Sequence, residues 1–142
     1  MRFSFRRIRL LILLCIVLLA GISTAAAQEA SPTNVIIIMD ASGSMQALFS
    51  DGRSRIAIAR DAVIDLVNGL PPEFNASLWA YGHRLPQDDP AASCLDIDQV
   101  IPLAPVDPAL FSQVVSEIPA IGYTPIARSL EVAVTGTPPN TQ

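Results

Sequence analysis

Asp40, Ser42 and Ser44 stand at every second position immediately after the apolar run Val35, Ile36, Ile37, Ile38, Met39, with Gly43 between the two serines. One carboxylate and two hydroxyls leaving the end of a strand make a compact set of hard oxygen donors. Such donors suit Mg²⁺, which prefers octahedral oxygen coordination and keeps several of its waters. Two uncharged ligands would leave the metal electron-poor and ready to accept an anionic oxygen from outside. The same letters also describe a strand followed by an ordinary polar Ser/Gly turn, which D-x-S-x-S meets often by chance. On the motif alone both readings stand.

Positioning such a site requires a fold, and the rest of the chain outlines one. The three consecutive isoleucines predict a strand over residues 35–39 buried on both faces. Asp51-Gly52 marks a turn and Ser54 an N-cap, after which Ile56, Ala59, Val63, Leu66, Val67 and Leu70 form a helical apolar stripe. Gly69 with Pro71-Pro72 predicts a left-handed helix stop. Residues 76–82 read as a second strand, with Leu78, Trp79 and Tyr81 supplying β character. Residues 86–98 read as a solvated acidic loop, because Asp88, Asp89, Asp96 and Asp98 lack the order of an EF-hand. Residues 99–104 predict an edge strand, since Pro102 cannot donate to a ladder. Asp107-Pro108 opens a helix with Leu110, Phe111, Val114, Val115 and Ile118 on its apolar face. A last helix, from Pro125 to about Val134, is expected to bury Ile126, Leu130 and Val134.

The first 27 residues belong to a different story. Arg2, Arg6, Arg7 and Arg9 precede an apolar run of 13 residues (10–22), and Ala25-Ala26-Ala27 supplies a small-x-small cleavage site before Gln28. This pattern is that of a secretory signal peptide over 1–27, followed by a linker over 28–34 and a domain over 35–142. Secretion, or release into a periplasm, follows; attachment to a membrane would require the signal segment to stay uncleaved. Past Ala27 the chain carries five arginines against 13 acidic residues, a net charge of −8. That balance repels phosphate backbones, excludes nucleic acid as a partner class, and attracts cations. Cys15 leaves with the signal, so Cys94 has no partner cysteine and reads as a buried small hydrophobe. His83 is the one histidine and reads as a loop hydrogen-bonder rather than a ligand.

With D-x-S-x-S after the first strand, Tyr81-Gly82-His83-Arg84 closing the second, and Gly122-Tyr123-Thr124-Pro125 ahead of the last helix, the chain resembles a von Willebrand factor type A domain with a metal-ion-dependent adhesion site, in its bacterial secreted form. The resemblance runs from about Thr33 to Val134. It implies an α/β, Rossmann-like, doubly wound and mostly parallel sheet with helices on both faces. It also implies an incomplete version, three strands and three helices, since the family's next strand and its further aspartate have no counterpart before Gln142. Carried over to this chain, it makes Ser42 and Ser44 direct hydroxyl ligands, Asp40 a carboxylate reaching the metal through water, and Thr124 the ligand from a second loop. Read from the residues alone, Thr124 before Pro125 is equally an N-cap. Gly122 is expected to let its loop approach the site closely.

The resemblance implies an exported, non-enzymatic protein-binding module of adhesion type. Mg²⁺, or Mn²⁺ or Ca²⁺ in its place, would bridge to an exposed carboxylate on a partner protein. Two alternatives belong to other classes. One is a truncated fragment without independent function, with an exposed isoleucine edge on its first strand. The other is a metal-assisted hydrolase, for which the sequence offers neither a D-x-D-x-T pattern nor a G-x-S-x-G elbow.

Overall fold

Residues 32–136 are described by a computed structural model. The expected signal peptide over 1–27 and most of the linker lie outside the described residues. Strand β1 (Asn34–Asp40) takes in the linker's last position and leads into a 3-10 turn over Gly43–Gln46. Then come α1 (Arg55–Asn68), β2 (Asn75–Tyr81), the four-residue helix α2 (Pro90–Ser93), β3 (Ile97–Pro105), α3 (Pro108–Glu117) and α4 (Ile126–Gly136). Among the described residues no helix is long and apolar enough to cross a membrane.

The chain is an α/β protein built on a small mixed sheet with strand order β1-β2-β3. β1 and β2 run parallel with Ile37 opposite Leu78 and Asp40 opposite Tyr81. β3 is antiparallel to β2, so the sheet is less parallel than expected. The link between β2 and β3 contains only the short α2, too little to carry the chain back across the sheet for a parallel addition. Pro102 lies where the β2–β3 register shifts, on an outer strand, as its missing N–H requires.

Two layers of helix follow from strand alternation. Ile37 and Met39 of β1 with Ala76, Leu78 and Ala80 of β2 form one buried core with Ile56, Val63 and Val67 of α1 and Phe111 and Val115 of α3. Trp79 points to the opposite side and meets α4, where a Cβ on Gly136 would lie 2.7 Å from the indole. The expected caps are in place. Ser54 Oγ accepts from Ala57 N–H, and Asp107 Oδ1 accepts from Ala109 and Leu110 N–H.

Four expectations are corrected by the packing. β1 is not buried on both faces: Ile37 and Met39 are, while Val35, Ile36 and Ile38 are half-buried, because among the described residues β1 pairs only with β2. Gly69 closes α1 at φ −90°, not in the left-handed region; its N–H still bonds the helix carbonyls, and Pro71-Pro72 blocks further turns. In α4 the stripe of Ile126, Leu130 and Val134 faces solvent, at 54%, 53% and 66% exposure, and the buried residues are Ser129 and Ala133. Small side chains let this helix lie close against the sheet. Cys94 is exposed, not buried.

Candidate metal centre

The site forms where β1 and β2 end side by side. Past Asp40 the chain turns: Ser42 N–H donates to Asp40 Oδ1 at 2.8 Å, and Met45 N–H closes the 3-10 turn on the Ser42 carbonyl. That turn brings the two hydroxyls together, Ser42 Oγ to Ser44 Oγ at 3.1 Å. Ser42 is fully buried and Ser44 exposed, so the pair spans from the interior to the surface.

The third element arrives from far along the chain. Ser42 and Gly122 form a parallel bridge, with Gly43 N–H donating to the Gly122 carbonyl at 2.8 Å. Ile121 and Gly122 N–H both donate to the Gly82 carbonyl. Glycine is required at both contacts. Gly82 has φ +70°, and a Cβ there would stand 2.6 Å from the Tyr123 carbonyl; one on Gly122 would stand 2.7 Å from Gly82 Cα. The expectation for Gly122 is met. Two residues later comes Thr124, exposed. Its carbonyl, not its hydroxyl, receives the helix's first N–H, from Ile126 at 3.0 Å. Among the described residues the Thr124 hydroxyl has no hydrogen-bond partner, so it is not engaged as an N-cap.

Tyr81 is the neighbour that sequence reasoning passed over. It sits opposite Asp40 in the strand register and is 5% exposed. Burial, then the negative charge of Asp40 and a hydrogen bond to it, push the phenol well above its usual range, keeping it a donor. His83 is buried, with Nδ1 lacking a hydrogen-bond partner, instead of acting as a loop hydrogen-bonder. Burial pushes its pKa down, against the pull of Asp96. The charges that act on His83 are those of Asp96, Arg84 and Asp98, not of Asp40.

The acidic loop is also not what its composition suggests. Asp96 is 1% exposed and accepts from Arg84 N–H at 2.6 Å, Leu85 N–H at 2.9 Å and Arg84 Nε at 2.8 Å. Burial raises its pKa, but the Arg84 side chain and the two amides outweigh that and hold the carboxyl below its ordinary range. Asp89 caps α2 through Ala91 and Ala92 N–H. Ser93 Oγ donates to the Leu85 carbonyl and accepts from Tyr123 N–H. Only knowledge of the fold could have assigned these roles; a D-P pair at 89–90, the N-cap and N1 signature, was the one local signal.

The donor set fits a small hard cation on two observations. Adjacent oxygens on octahedral Mg²⁺ lie about 2.9 Å apart, close to the 3.1 Å between the serine hydroxyls. The Thr124 hydroxyl is exposed and uncommitted. No group of three or more His, Cys, Asp or Glu that could hold a metal occurs among the described residues. A site of one carboxylate with hydroxyls and waters is of a different kind.

No family model matches the chain. The chain is 34% identical over 107 residues to the uncharacterized protein YwmD of Bacillus subtilis (strain 168), a match that covers 74% of this chain and 47% of the relative. The chain therefore spans about half the length of the curated relative it matches. Among solved structures it is similar to an uncharacterized membrane-spanning protein from Vibrio fischeri, at a TM-score of 0.49 and 16% identity, over 70% of this chain and 46% of that one.

Proposed function

We propose that this is an exported, divalent-metal-dependent protein-binding module of the von Willebrand factor A kind, with a Rossmann-like sheet. Ser42, Ser44 and Thr124 would hold Mg²⁺, Mn²⁺ or Ca²⁺ through hydroxyls, and Asp40 through its carboxylate. The observation that carries the reading is the 3.1 Å approach of the Ser42 and Ser44 hydroxyls at the end of β1, with the Thr124 segment bridged to Ser42 through Gly122. Bound there, the cation supplies a positive centre with room for one outside oxygen, which suits an exposed carboxylate on a partner protein. The chain's own residues then orient and hold. Ser42 N–H fixes one oxygen of Asp40, and the buried Tyr81 stands opposite Asp40 in the strand register. No bond is broken.

Calorimetric titration of the protein with Mg²⁺, Mn²⁺ and Ca²⁺ tests the reading, with Ser42→Ala as the control. The reading expects saturable binding that this substitution abolishes. Binding indifferent to it would sink the assignment. A second reading, a domain without independent binding that needs a further segment, is favoured by the open edge of β1 and the solvent-facing stripe on α4. It predicts weak metal binding in the isolated chain. A metal-assisted hydrolase ranks behind both; a phosphatase and esterase screen with divalent metal separates it.

A further inference from the structure

Thr124 is held in place by a series of tethers on the three residues before it. Ile121 N–H donates to the Ala41 and Gly82 carbonyls, each at 3.1 Å, and Gly122 N–H to the Gly82 carbonyl at 2.8 Å. The Gly122 carbonyl accepts from Gly43 N–H at 2.8 Å and from Gln87 Nε2 at 2.7 Å. The last tether before Thr124 is Tyr123 N–H to Ser93 Oγ at 2.9 Å.

We propose that Ser93 is a positioning residue for Thr124: its buried hydroxyl fixes the end of the segment that brings Thr124 beside Ser42 and Ser44. The inference rests on the metal reading above. Ser93 is fully buried, and both functions of its hydroxyl are committed, the proton to the Leu85 carbonyl at 3.1 Å and a lone pair to Tyr123 N–H. Neither partner is free to drift. Leu85 N–H is bonded to the buried Asp96 carboxylate, and Ser93 N–H to the Asp89 carbonyl at 2.9 Å. A continuous brace therefore runs from Asp96 through Leu85 and Ser93 to Tyr123, whose next residue is the proposed ligand. The excursion between β2 and β3 sets the second loop of the site without itself offering a ligand. Loss of a residue that orients a metal ligand commonly weakens affinity about 10–100-fold.

The test is a double-mutant cycle on Mg²⁺ affinity with Ser93→Ala, Thr124→Ala and the pair, read by calorimetry, alongside amide exchange at Tyr123. Ser93→Ala should weaken Mg²⁺ binding about tenfold, and should add little once Thr124 is already alanine. In metal-free Ser93→Ala the Tyr123 amide should exchange faster than in the parent. Fully additive losses, or unchanged affinity despite a deprotected Tyr123 amide, overturn the proposal while leaving the metal reading intact. Mg²⁺ binding indifferent to Thr124→Ala overturns both. Should Ser93→Ala not fold, the unmodified protein decides: Mg²⁺ should slow exchange at Tyr123, and no slowing refutes the link.

Discussion

Replacing Asp96 by alanine should be the most damaging single change among the acidic residues of this protein. The carboxylate accepts three hydrogen bonds, two from backbone amides and one from the Arg84 guanidinium, with no exposure of its side chain to water. Alanine leaves the Arg84 and Leu85 amides without their acceptor and the guanidinium with only Asp98. Removing one partner of a buried, hydrogen-bonded charge typically costs about 3–5 kcal/mol, against a total of about 5–15 kcal/mol for a single domain. The melting temperature should fall by roughly 12 °C or more, at about 4–8 °C per kcal/mol for a domain of this size. Asp98 provides the contrast. It pairs with the same Arg84 at 3.1 Å, but its side chain is 46% exposed, and Asp98→Ala should cost no more than about 1 kcal/mol. Urea denaturation followed by circular dichroism measures both. Equal losses in the two variants would show that burial and the backbone amides at Asp96 contribute nothing beyond an ordinary surface pair.

In titrations with Mn²⁺, Asp40→Ala should weaken binding more than His83→Ala, because Asp40 is the one charged group among the proposed ligands; equal losses with the fold intact would bring His83 into the site. Stability should fall as pH drops below about 6.5, since burial lowers the folded pKa of His83 and the unfolded chain then takes up a proton that the fold refuses. A second loss should follow below about pH 4, where Asp96 in the unfolded chain takes up a proton that the depressed carboxyl in the fold still refuses; urea midpoints across pH check both, and His83→Gln should remove only the first. Self-association at high protein concentration should run through the β1 edge and the α4 stripe, so Leu130→Glu with Val134→Lys should reduce it in sedimentation at unchanged melting temperature; a monodisperse parent would contradict this. Gly82→Ala should weaken Mg²⁺ binding at least as much as it lowers stability, because its Cβ would displace the Tyr123 carbonyl; retained affinity would detach the Thr124 segment from the site.

What was legible in the sequence was local. The caps at Ser54 and Asp107 and the edge position of β3 each follow from a few adjacent residues whose backbone chemistry is decided within a turn. The facing of α4 is not of that kind. Ile126, Leu130 and Val134 make a better apolar stripe than Ser129 and Ala133, yet the smaller residues are buried. Hydrophobicity alone would place the stripe inward, but close approach to a sheet bearing Trp79 selects for small side chains instead, and only the tertiary spacing reveals that. Asp96 was misread for the same reason. A carboxylate in a Pro- and Asp-rich stretch reads as solvated, and its burial depends on Arg84, brought back to it by the turn of the β2–β3 link.

The candidate site divides along the same line. Asp40, Ser42 and Ser44 lie within five residues, and the turn that gathers them is held by a bond between two of them. The segment that carries Thr124 packs against the Ser42 turn because two glycines, Gly82 and Gly122, sit where neither tolerates a Cβ. The motif therefore supplies three of the four proposed donors, and the packing of the loops after β2 and β3 would supply the fourth. On the proposed reading, a chain that keeps D-x-S-x-S intact would still lose the site through a methyl group at Gly82 or a missing hydroxyl at Ser93. Recognising the proposed site in other sequences thus calls for the glycine after the second strand and the Gly-Tyr-Thr-Pro segment together with the opening motif, since it is the contact of Gly82 and Gly122 with the Ser42 turn that joins the two loops.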